Sequence, residues 1–222
     1  MARTIFITGA SSGIGAATAR AAVAQGWHVG LFARSEDKLR ALADELGDAA
    51  SIFAGDASRL DDLTNAVDAL AERGGIDAAF ANAGKGLSKP GTEAGDPDEW
   101  RQMVDVNVMG VLYTARAALP HLRRRKGHLV VTGSAAGRRH ISGSIYGATK
   151  WFVHGYAGNL AEEMREWGGR CTVVAPGMVD TAFFDTPKPE KLHPEDVAAA
   201  VMHAIEAPER VGVREIFLMP QN

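Results

Sequence analysis

Cysteine and aromatic residues are scarce in this chain of 222 residues. It holds one cysteine, Cys171, and aromatic side chains make up only 7% of the residues. A single cysteine excludes an internal disulfide, and the apolar run around Cys171 indicates a small buried side chain rather than a nucleophile. The seven histidines are scattered without ligand spacing and have no cysteine partners. We therefore expect no metal site.

Charge and hydrophobicity favour neither a nucleic-acid partner nor a membrane. The formal net charge of −3 provides no basic field for nucleic acid and no polybasic membrane anchor. No window approaches about 18 consecutive apolar residues, and the N-terminal residues have the pattern of a strand and a glycine turn, not of a signal peptide. The one dense block of charge, residues 123–126, fits the cationic end of a helix before Gly127. We expect a cytoplasmic protein.

Short apolar runs alternate with helical patterns along the whole chain, which predicts a parallel sheet covered by helices. The runs lack the in/out alternation of a half-exposed sheet, so both faces of the sheet should be buried. The predicted strands are Thr4–Thr8, His28–Ala33, Ala50–Ala54, Ala78–Asn82, His128–Thr132, Cys171–Ala175 and Arg214–Leu218. The expected fold class is α/β, a doubly wound Rossmann-type parallel sheet of about seven strands with helices on both faces. Without a linker or repeat, we expect a single domain over residues 1–222.

Helix start signals lie between several of these strands. Ser58 and Asp61 have the spacing of a capping box. Asp96 followed by Pro97 offers an N-cap and a proline at the first helical position, and Pro194 begins a similar arrangement with acidic residues behind it.

The first strand leads directly into a glycine turn followed by an alanine-rich helix. In this turn Gly9 can leave the strand sharply, Gly13 can let the backbone approach a pyrophosphate, and Gly15 can let the helix pack closely. The free amides and the dipole of the helix N-terminus would hold the phosphates. No Gly-Lys-Ser/Thr follows, which excludes a nucleoside triphosphate loop. The pattern favours a dinucleotide.

The residue after the second strand predicts which dinucleotide binds. An acidic residue at this place selects NAD, whereas an arginine accommodates the 2′-phosphate of NADP. Glu36 and Asp37 have the spacing of ribose ligands, but a cap at Ser35 would place both in the first turn of the next helix. Arg34 then faces the 2′ position. NADP is favoured, and NAD stays possible.

Tyr146 and Lys150 lie four residues apart, hence on one face of any helix that carries them. A phenol has a pKa near about 10 and is a poor proton donor at neutral pH. An ammonium about 4 Å away, at an effective dielectric of about 20, would lower that pKa by about three units. We therefore predict that Lys150 brings the pKa of Tyr146 close to neutral, where a general acid works best. The spacing alone also fits an ordinary tyrosine and a solvated lysine.

Seven motifs in order resemble the short-chain dehydrogenase/reductase family along the whole chain. They are Thr8-Gly-Ala-Ser-Ser-Gly-Ile-Gly15, Gly55-Asp-Ala57, Ala81-Asn-Ala-Gly84, Asp105-Val-Asn-Val-Met-Gly110, Val131-Thr-Gly-Ser-Ala-Ala-Gly137, Tyr146-Gly-Ala-Thr-Lys150 and Pro176-Gly-Met-Val-Asp-Thr181. The family usually carries two asparagines where this chain has Ala81 and Asn82. We assign the cofactor contact at that place to Asn82.

The resemblance implies an enzyme that transfers a hydride between a nicotinamide and a small-molecule carbonyl or secondary alcohol. Its catalytic residues would be Asn107, Ser134, Tyr146 and Lys150. Ser134 would hydrogen bond the substrate oxygen, and Tyr146 would transfer the proton. Lys150 would also hold the nicotinamide ribose, and Asn107 would mark a helix irregularity that holds a water linked to Lys150.

The resemblance also implies the residues that would contact the cofactor. Asp56 and Ala57 would meet the adenine, residues 82–84 the ribose side, and the motif 176–181 the nicotinamide and its phosphate. The full set is Gly9, Ser11, Ser12, Gly13, Ile14, Gly15, Arg34, Asp56, Ala57, Asn82, Ala83, Gly84, Tyr146, Lys150, Pro176, Gly177, Val179 and Thr181.

The substrate side and the assembly are less determined. Met178, Phe183 and Phe184 can form an apolar wall beside the substrate, although packing explains them equally well. The cationic stretch 138–140 borders the substrate in the family and would suit an anion, but solvated loop residues are favoured. Two long helices, near 100–122 and 146–167, carry surplus apolar residues. Because family members pair such helices, we expect a homodimer or homotetramer.

Two alternatives stay open from the sequence. One is an NAD-linked alcohol dehydrogenase of the same fold that works in the oxidative direction. The other is a redox sensor that binds NADP without turnover. The intact set of Asn107, Ser134, Tyr146 and Lys150 argues against the sensor, because a sensor needs no activated tyrosine.

Overall fold

The fold is built on one seven-stranded sheet, seen in a computed structural model that describes residues 2–183 and 186–221. The strands are β1 (Thr4–Thr8), β2 (His28–Ala33), β3 (Ala50–Ala54), β4 (Ala78–Ala81), β5 (His128–Thr132), β6 (Arg170–Pro176) and β7 (Glu215–Leu218). The order across the sheet is β3-β2-β1-β4-β5-β6-β7, and every neighbouring pair is parallel. The predicted strands are confirmed to within one residue at each end.

Helices cover both faces of this sheet. They are α1 (Gly13–Ala24), α2 (Glu36–Leu46), α3 (Leu60–Ala71), α4 (Pro97–Val104), α5 (Gly110–Arg125), α6 (Ile145–Arg165) and α7 (Pro194–Glu206). One buried cluster joins α3, α5 and α6 to the sheet, and a second joins α1, α2 and α7 to its other face. In β1, Phe6 belongs to the first cluster while Ile5 and Ile7 belong to the second. Burial on both faces explains why the strands are apolar throughout.

Two of the three helix starts agree with the sequence. Asp96 caps α4 by accepting a hydrogen bond from the Asp98 amide at 2.9 Å, and α7 begins at Pro194. The capping box predicted at Ser58 is wrong. The α3 helix begins at Leu60, and the Ser58 hydroxyl instead donates to Asp56 at 2.8 Å. The Ser58 hydroxyl bonds the nearer carboxylate, that of Asp56, so it stabilises the loop before α3 and does not cap the helix.

The remaining sequence expectations about the scaffold concern a charge block and a thiol. The α5 helix ends at Arg125, Lys126 adopts the left-handed conformation, and the Gly127 amide donates back to the Leu122 carbonyl, which confirms a helix end within 123–126.

Cys171 is buried, and burial raises the pKa of its thiol to about 12. Within the described ranges, no helix has both the length and the apolarity to cross a bilayer.

Candidate active site

The sheet order reverses between β1 and β4, where the chain leaves both strands on the same edge. In open parallel sheets a ligand crevice forms outside the carboxyl ends of the strands at such a reversal. The turn after β1 and the loops after β4, β5 and β6 all lie at this edge. They carry most of the residues that the sequence singled out.

The glycine turn after β1 has the geometry expected of a phosphate-binding turn. Gly9 and Gly13 have φ values of 67° and 51°, the left-handed region that favours glycine. The α1 helix begins at Gly13, and in the described part of the chain the Ser12 hydroxyl makes no cap hydrogen bond. A Cβ added to Gly15 would lie 2.2 Å from the Gly9 carbonyl oxygen. Close packing at Gly15 is therefore confirmed, and its partners are the backbone of the turn at Gly9 and the Asn82 side chain.

The loop after β6 lies against this turn. A Cβ on Gly13 would come within 3.1 Å of the Thr181 methyl group. Backbone contacts fix the position of this loop. The Gly177 amide donates to the Leu218 carbonyl at 2.7 Å, and Val179 forms a β-bridge with Leu192. The first and last of the seven motifs, far apart in sequence, thus come into contact at the crevice.

Asn82 joins the ends of three strands. Its Nδ2 donates to the Thr8 carbonyl at 3.1 Å, and its Oδ1 accepts from the Thr132 hydroxyl at 3.1 Å. The Thr8 hydroxyl in turn accepts from the amides of Asn82 and Ala83. The side chain therefore fixes the relative positions of β1, β4 and β5, a role that the sequence did not indicate. Its contact with a cofactor stays a prediction.

The end of β2 brings cations close to a carboxylate. Glu36 and Asp37 lie in the first turn of α2, as predicted, which leaves Arg34 exposed beside the crevice. Ser35 stands at the N-cap position, but among the described residues its side chain makes no cap hydrogen bond, so that part of the prediction is wrong. Burial alone would raise the pKa of Asp56. Hydrogen bonds from Ser58 and the charges of Arg34 and Arg59 outweigh it, so the pKa of Asp56 falls below its ordinary value. Arg59 was missed in the sequence because it carries no motif.

Asn107 lies in a π-helical turn, Asp105–Met109, between α4 and α5, which confirms the predicted helix irregularity. The residue is fully buried. Its amide donates to the Lys85 carbonyl at 2.9 Å and to the Thr149 hydroxyl at 3.2 Å, while its Oδ1 accepts from the Lys85 amide at 2.8 Å. The Thr149 hydroxyl donates to the Tyr146 carbonyl at 2.7 Å. Asn107 thus connects the loop after β4 to the first turns of α6.

Ser134 follows β5 in an extended conformation and is nearly buried. Its Oγ accepts a hydrogen bond from the Ala136 amide at 3.1 Å and so caps a short 3₁₀ helix, Ala135–Gly137. The hydroxyl also lies beside the Tyr146 phenol as a hydrogen-bonding neighbour. The structure therefore brings the serine and the tyrosine together from different parts of the chain.

Tyr146 and Lys150 share one face of α6, as their spacing predicts. The helix begins at Ile145, behind Ser144, whose Oγ accepts from the Gly147 amide at 2.9 Å. The Lys150 Nζ lies 5.8 Å from the centre of the Tyr146 ring and donates to the Thr132 carbonyl at 2.7 Å. Lys150 is 4% exposed and Tyr146 is half-buried.

The expectation that Lys150 lowers the pKa of Tyr146 is wrong. Burial raises the pKa of the phenol, and the neighbouring Ser134 hydroxyl offsets only part of this effect. Burial also lowers the pKa of Lys150 to about 8. The helical spacing was predicted correctly, but the prediction left out the desolvation cost of a phenolate in a partly buried crevice. Tyr146 therefore keeps its proton at neutral pH.

Of the three side chains expected to form an apolar wall beside the substrate, Phe183 lies near Tyr146. The Phe183 ring lies 5.6 Å from the Tyr146 ring, and both Phe183 and Met178 are 45% exposed. Phe184 lies outside the described residues.

The cationic stretch 138–140 lies in an exposed loop, which agrees with the interpretation favoured from the sequence. Arg138 pairs with Glu215, and His140 stacks on Trp151 with ring centres 5.4 Å apart.

A parallel sheet of this order, with a glycine turn at its reversal point, defines a Rossmann-type fold. The family model for short chain dehydrogenases matches residues 3–191. The chain therefore belongs to the short-chain dehydrogenase/reductase family and is an NAD(P)-dependent oxidoreductase.

Individual relatives agree with this assignment. The chain is 38% identical over 221 residues to an uncharacterised oxidoreductase of Staphylococcus aureus (strain MRSA252), which covers 96% of this chain and 95% of the relative. Among solved structures, the alcohol dehydrogenase of the archaeon Thermococcus sibiricus, complexed with 5-hydroxy-NADP, has a TM-score of 0.92, 32% identity and coverage of 100% and 97%. The 3-ketoacyl-(acyl-carrier-protein) reductase of Brucella melitensis, complexed with NADH, has a TM-score of 0.91, 26% identity and coverage of 99% and 97%.

Proposed function

We propose that this protein is an NADP-dependent oxidoreductase that exchanges a hydride between the nicotinamide and a carbonyl or secondary alcohol. One observation carries the proposal: Ser134, Tyr146 and Lys150 meet at the carboxyl edge of the sheet. Thr132, the last residue of β5, contacts both Lys150 and the asparagine that braces the glycine turn. The proton-transfer groups and the proposed phosphate-binding turn are thus parts of one connected crevice.

The chemistry assigned to these residues follows from charge. A bound nicotinamide supplies the hydride, and its addition to a carbonyl carbon leaves negative charge on the oxygen. We assign to Ser134 and Tyr146 the stabilisation of that charge, and to Tyr146 the transfer of its proton to the oxygen. The phenol keeps its proton at neutral pH, which is the form that this step requires. Lys150, held by the Thr132 carbonyl, would stabilise the phenolate left behind.

The cofactor is assigned to the crevice between the glycine turn and the loop 176–181. The left-handed backbone at Gly9 and Gly13 and the exposed start of α1 fit a pyrophosphate. We assign the adenine to Asp56 and Ala57, because the charge of Arg34 acts on Asp56 and so brings this loop close to the end of β2. Of the two solved relatives, one holds 5-hydroxy-NADP and the other NADH. For this chain, the exposed guanidinium of Arg34 after β2 favours NADP.

The Arg34→Ala variant tests the cofactor preference. Because hydrogen bonds to charged groups contribute about 1.5–3 kcal/mol, we expect NADPH affinity to fall by about 10- to 100-fold, with NADH affinity nearly unchanged. Fluorescence titration with both cofactors measures the ratio. Arg40→Ala is the matched control, since Arg40 is exposed on α2 and pairs with Glu36. An unchanged ratio in the Arg34 variant would show that the arginine does not select NADP.

We infer that the preferred substrate is uncharged and at least partly apolar. Phe183 presents exposed apolar surface close to Tyr146, and Met178, on the loop after β6, is exposed to the same extent. Arg138, the cation nearest in sequence to Ser134, is engaged by Glu215, so it is a poor partner for a substrate anion.

A spectrophotometric screen tests the reaction and the substrate class together. We expect NADPH to be consumed with benzaldehyde and butanedione, and much more slowly with pyruvate, whose carboxylate would lose its hydration beside the apolar wall. NADH serves as the comparison cofactor. Faster turnover of pyruvate would reverse the substrate assignment. Binding of NADPH without turnover of any probe would favour the redox sensor.

The proposal also covers organisation, assembly and location. A single domain is supported by the seven strands sharing one sheet.

On α6, Trp151 and Phe152 are 43% and 37% exposed, whereas Leu160 and Met164 pack into the core. Exposed large apolar residues on one helix favour pairing with a second copy, as a homodimer or homotetramer. The cytoplasmic location rests on the sequence pattern described above.

A further inference from the structure

A buried imidazole lies behind the segment that carries Ser134. His154 is on α6, one turn after Lys150, and its side chain is 8% exposed. Cβ atoms added to Gly133 or Gly137 would fall 2.6 Å and 2.7 Å from atoms of its ring. The imidazole therefore packs directly against the backbone of Gly133 and Gly137. These two glycines are the ends of the segment 133–137 that carries Ser134, called the serine segment below, and a larger residue at either end would clash with the ring.

The polar contacts of this ring define its protonation state. Its Nε2 accepts a hydrogen bond from the Ser134 amide at 3.4 Å, a long contact that requires Nε2 to carry no proton. Its Nδ1 faces the Glu215 carboxylate at 3.4 Å, although the alignment is too poor for a hydrogen bond. Glu215 also pairs with Arg138, the residue that follows the 3₁₀ helix. The neutral ring thus links β7 to the catalytic serine segment.

Among the residues that the structure describes, three charged groups face the imidazole. They are Glu215 on β7, Arg138 after the 3₁₀ helix and Lys150 on the same helix. Burial, together with the charges of Arg138 and Lys150, outweighs the opposing effect of the Ser134 backbone and holds the pKa of His154 below its ordinary value. Protonation would place a hydrogen on Nε2, opposite the Ser134 N–H, and would turn the contact into a clash of two donors.

We propose that His154 is a positioning residue, which holds the Ser134 segment in place only while its ring is neutral. The inference rests on the proposed function, since it gives the serine its role. The inference adds that kcat falls in acid because the serine segment moves. This loss of kcat does not depend on the protonation of Tyr146. Sequence reasoning missed His154 because a lone histidine on a helix carries no motif.

Steady-state kinetics with NADPH and benzaldehyde over about pH 5 to 8 test this. We expect the wild-type kcat to fall in acid with a midpoint below about 6.5, the ordinary histidine pKa. His154→Leu, which lacks the acceptor, should lose kcat by at least about 10-fold at neutral pH with unchanged NADPH affinity. His154→Gln keeps an acceptor that does not titrate, so it should retain most of the neutral kcat and lose the acid limb. His203→Gln, at an exposed site on α7, is the control.

Two results would overturn the inference: a His154→Leu enzyme with wild-type kcat, or a His154→Gln enzyme with the wild-type acid limb. A readout without turnover comes from NMR, where the Ser134 amide resonance should titrate with the His154 ring in the wild type. An amide that ignores this titration would also refute the contact. Failure of the proposed function would instead appear as a wild type that reduces no probe.

Discussion

The Tyr146→Phe variant is expected to bind NADPH as tightly as the wild type and to reduce benzaldehyde about 10²- to 10⁴-fold more slowly. Phenylalanine keeps the ring that packs beside Phe183 and Lys150, so the shape of the crevice should persist. It removes the hydroxyl to which we assign the transfer of a proton to the substrate oxygen. Stopped-flow measurement of NADPH consumption, with fluorescence titration for binding, separates the two effects.

The matched control for this variant is Tyr156→Phe. Tyr156 lies on the same helix, is also partly buried, and has a pKa that burial raises to about 12. Its ring stacks on Phe152. We expect wild-type kcat from the control. If Tyr146→Phe retained a rate within about threefold of the wild type, the general-acid assignment would be wrong.

The Gly15→Ala variant should damage the cofactor site without touching the proton-transfer residues. Its methyl group would lie 2.2 Å from the Gly9 carbonyl oxygen and 2.9 Å from the Asn82 amide. Neither can yield easily, because one is backbone and the other joins three strands. Overpacking of this kind costs about 1–3 kcal/mol. Since the strain falls in the turn assigned to the pyrophosphate, NADPH affinity should fall by about 10- to 100-fold.

Gly212→Ala is the control for the glycine prediction. A Cβ there meets its nearest neighbour, the Arg214 side chain, at 3.8 Å, an ordinary van der Waals contact. Thermal unfolding and NADPH titration of both variants measure the two expected losses. Wild-type NADPH affinity in a folded Gly15→Ala protein would mean that the turn does not hold the cofactor.

The strands were predictable from the sequence because both faces of a parallel sheet are buried. Each strand is then a nearly continuous apolar run, and such runs are easy to delimit. Helix starts were less certain. Asp96 was predicted correctly because proline and acids follow it, whereas Ser58 had a competing partner, Asp56, only two residues away.

The candidate site residues were predicted where a family motif names them, and Arg34 was predicted from its position after β2. The supporting contacts were not, because each joins positions that are distant in the chain. Asn82 reaches Thr132 over 50 residues, and Asn107 reaches Thr149 over 42. His154 contacts Ser134 over 20 residues, with no pattern in the sequence to mark the pair.

The sequence by itself determined the strands, the glycine turn and the placement of Tyr146 and Lys150 on one helical face. These are local properties, set by burial pattern, backbone freedom and helical spacing. Only the tertiary structure decided the order of the strands and the pKa of Tyr146. Spacing along a helix determines which side chains are neighbours, but desolvation depends on everything packed around them, and here it raises the pKa of the phenol that spacing alone predicted would be lowered.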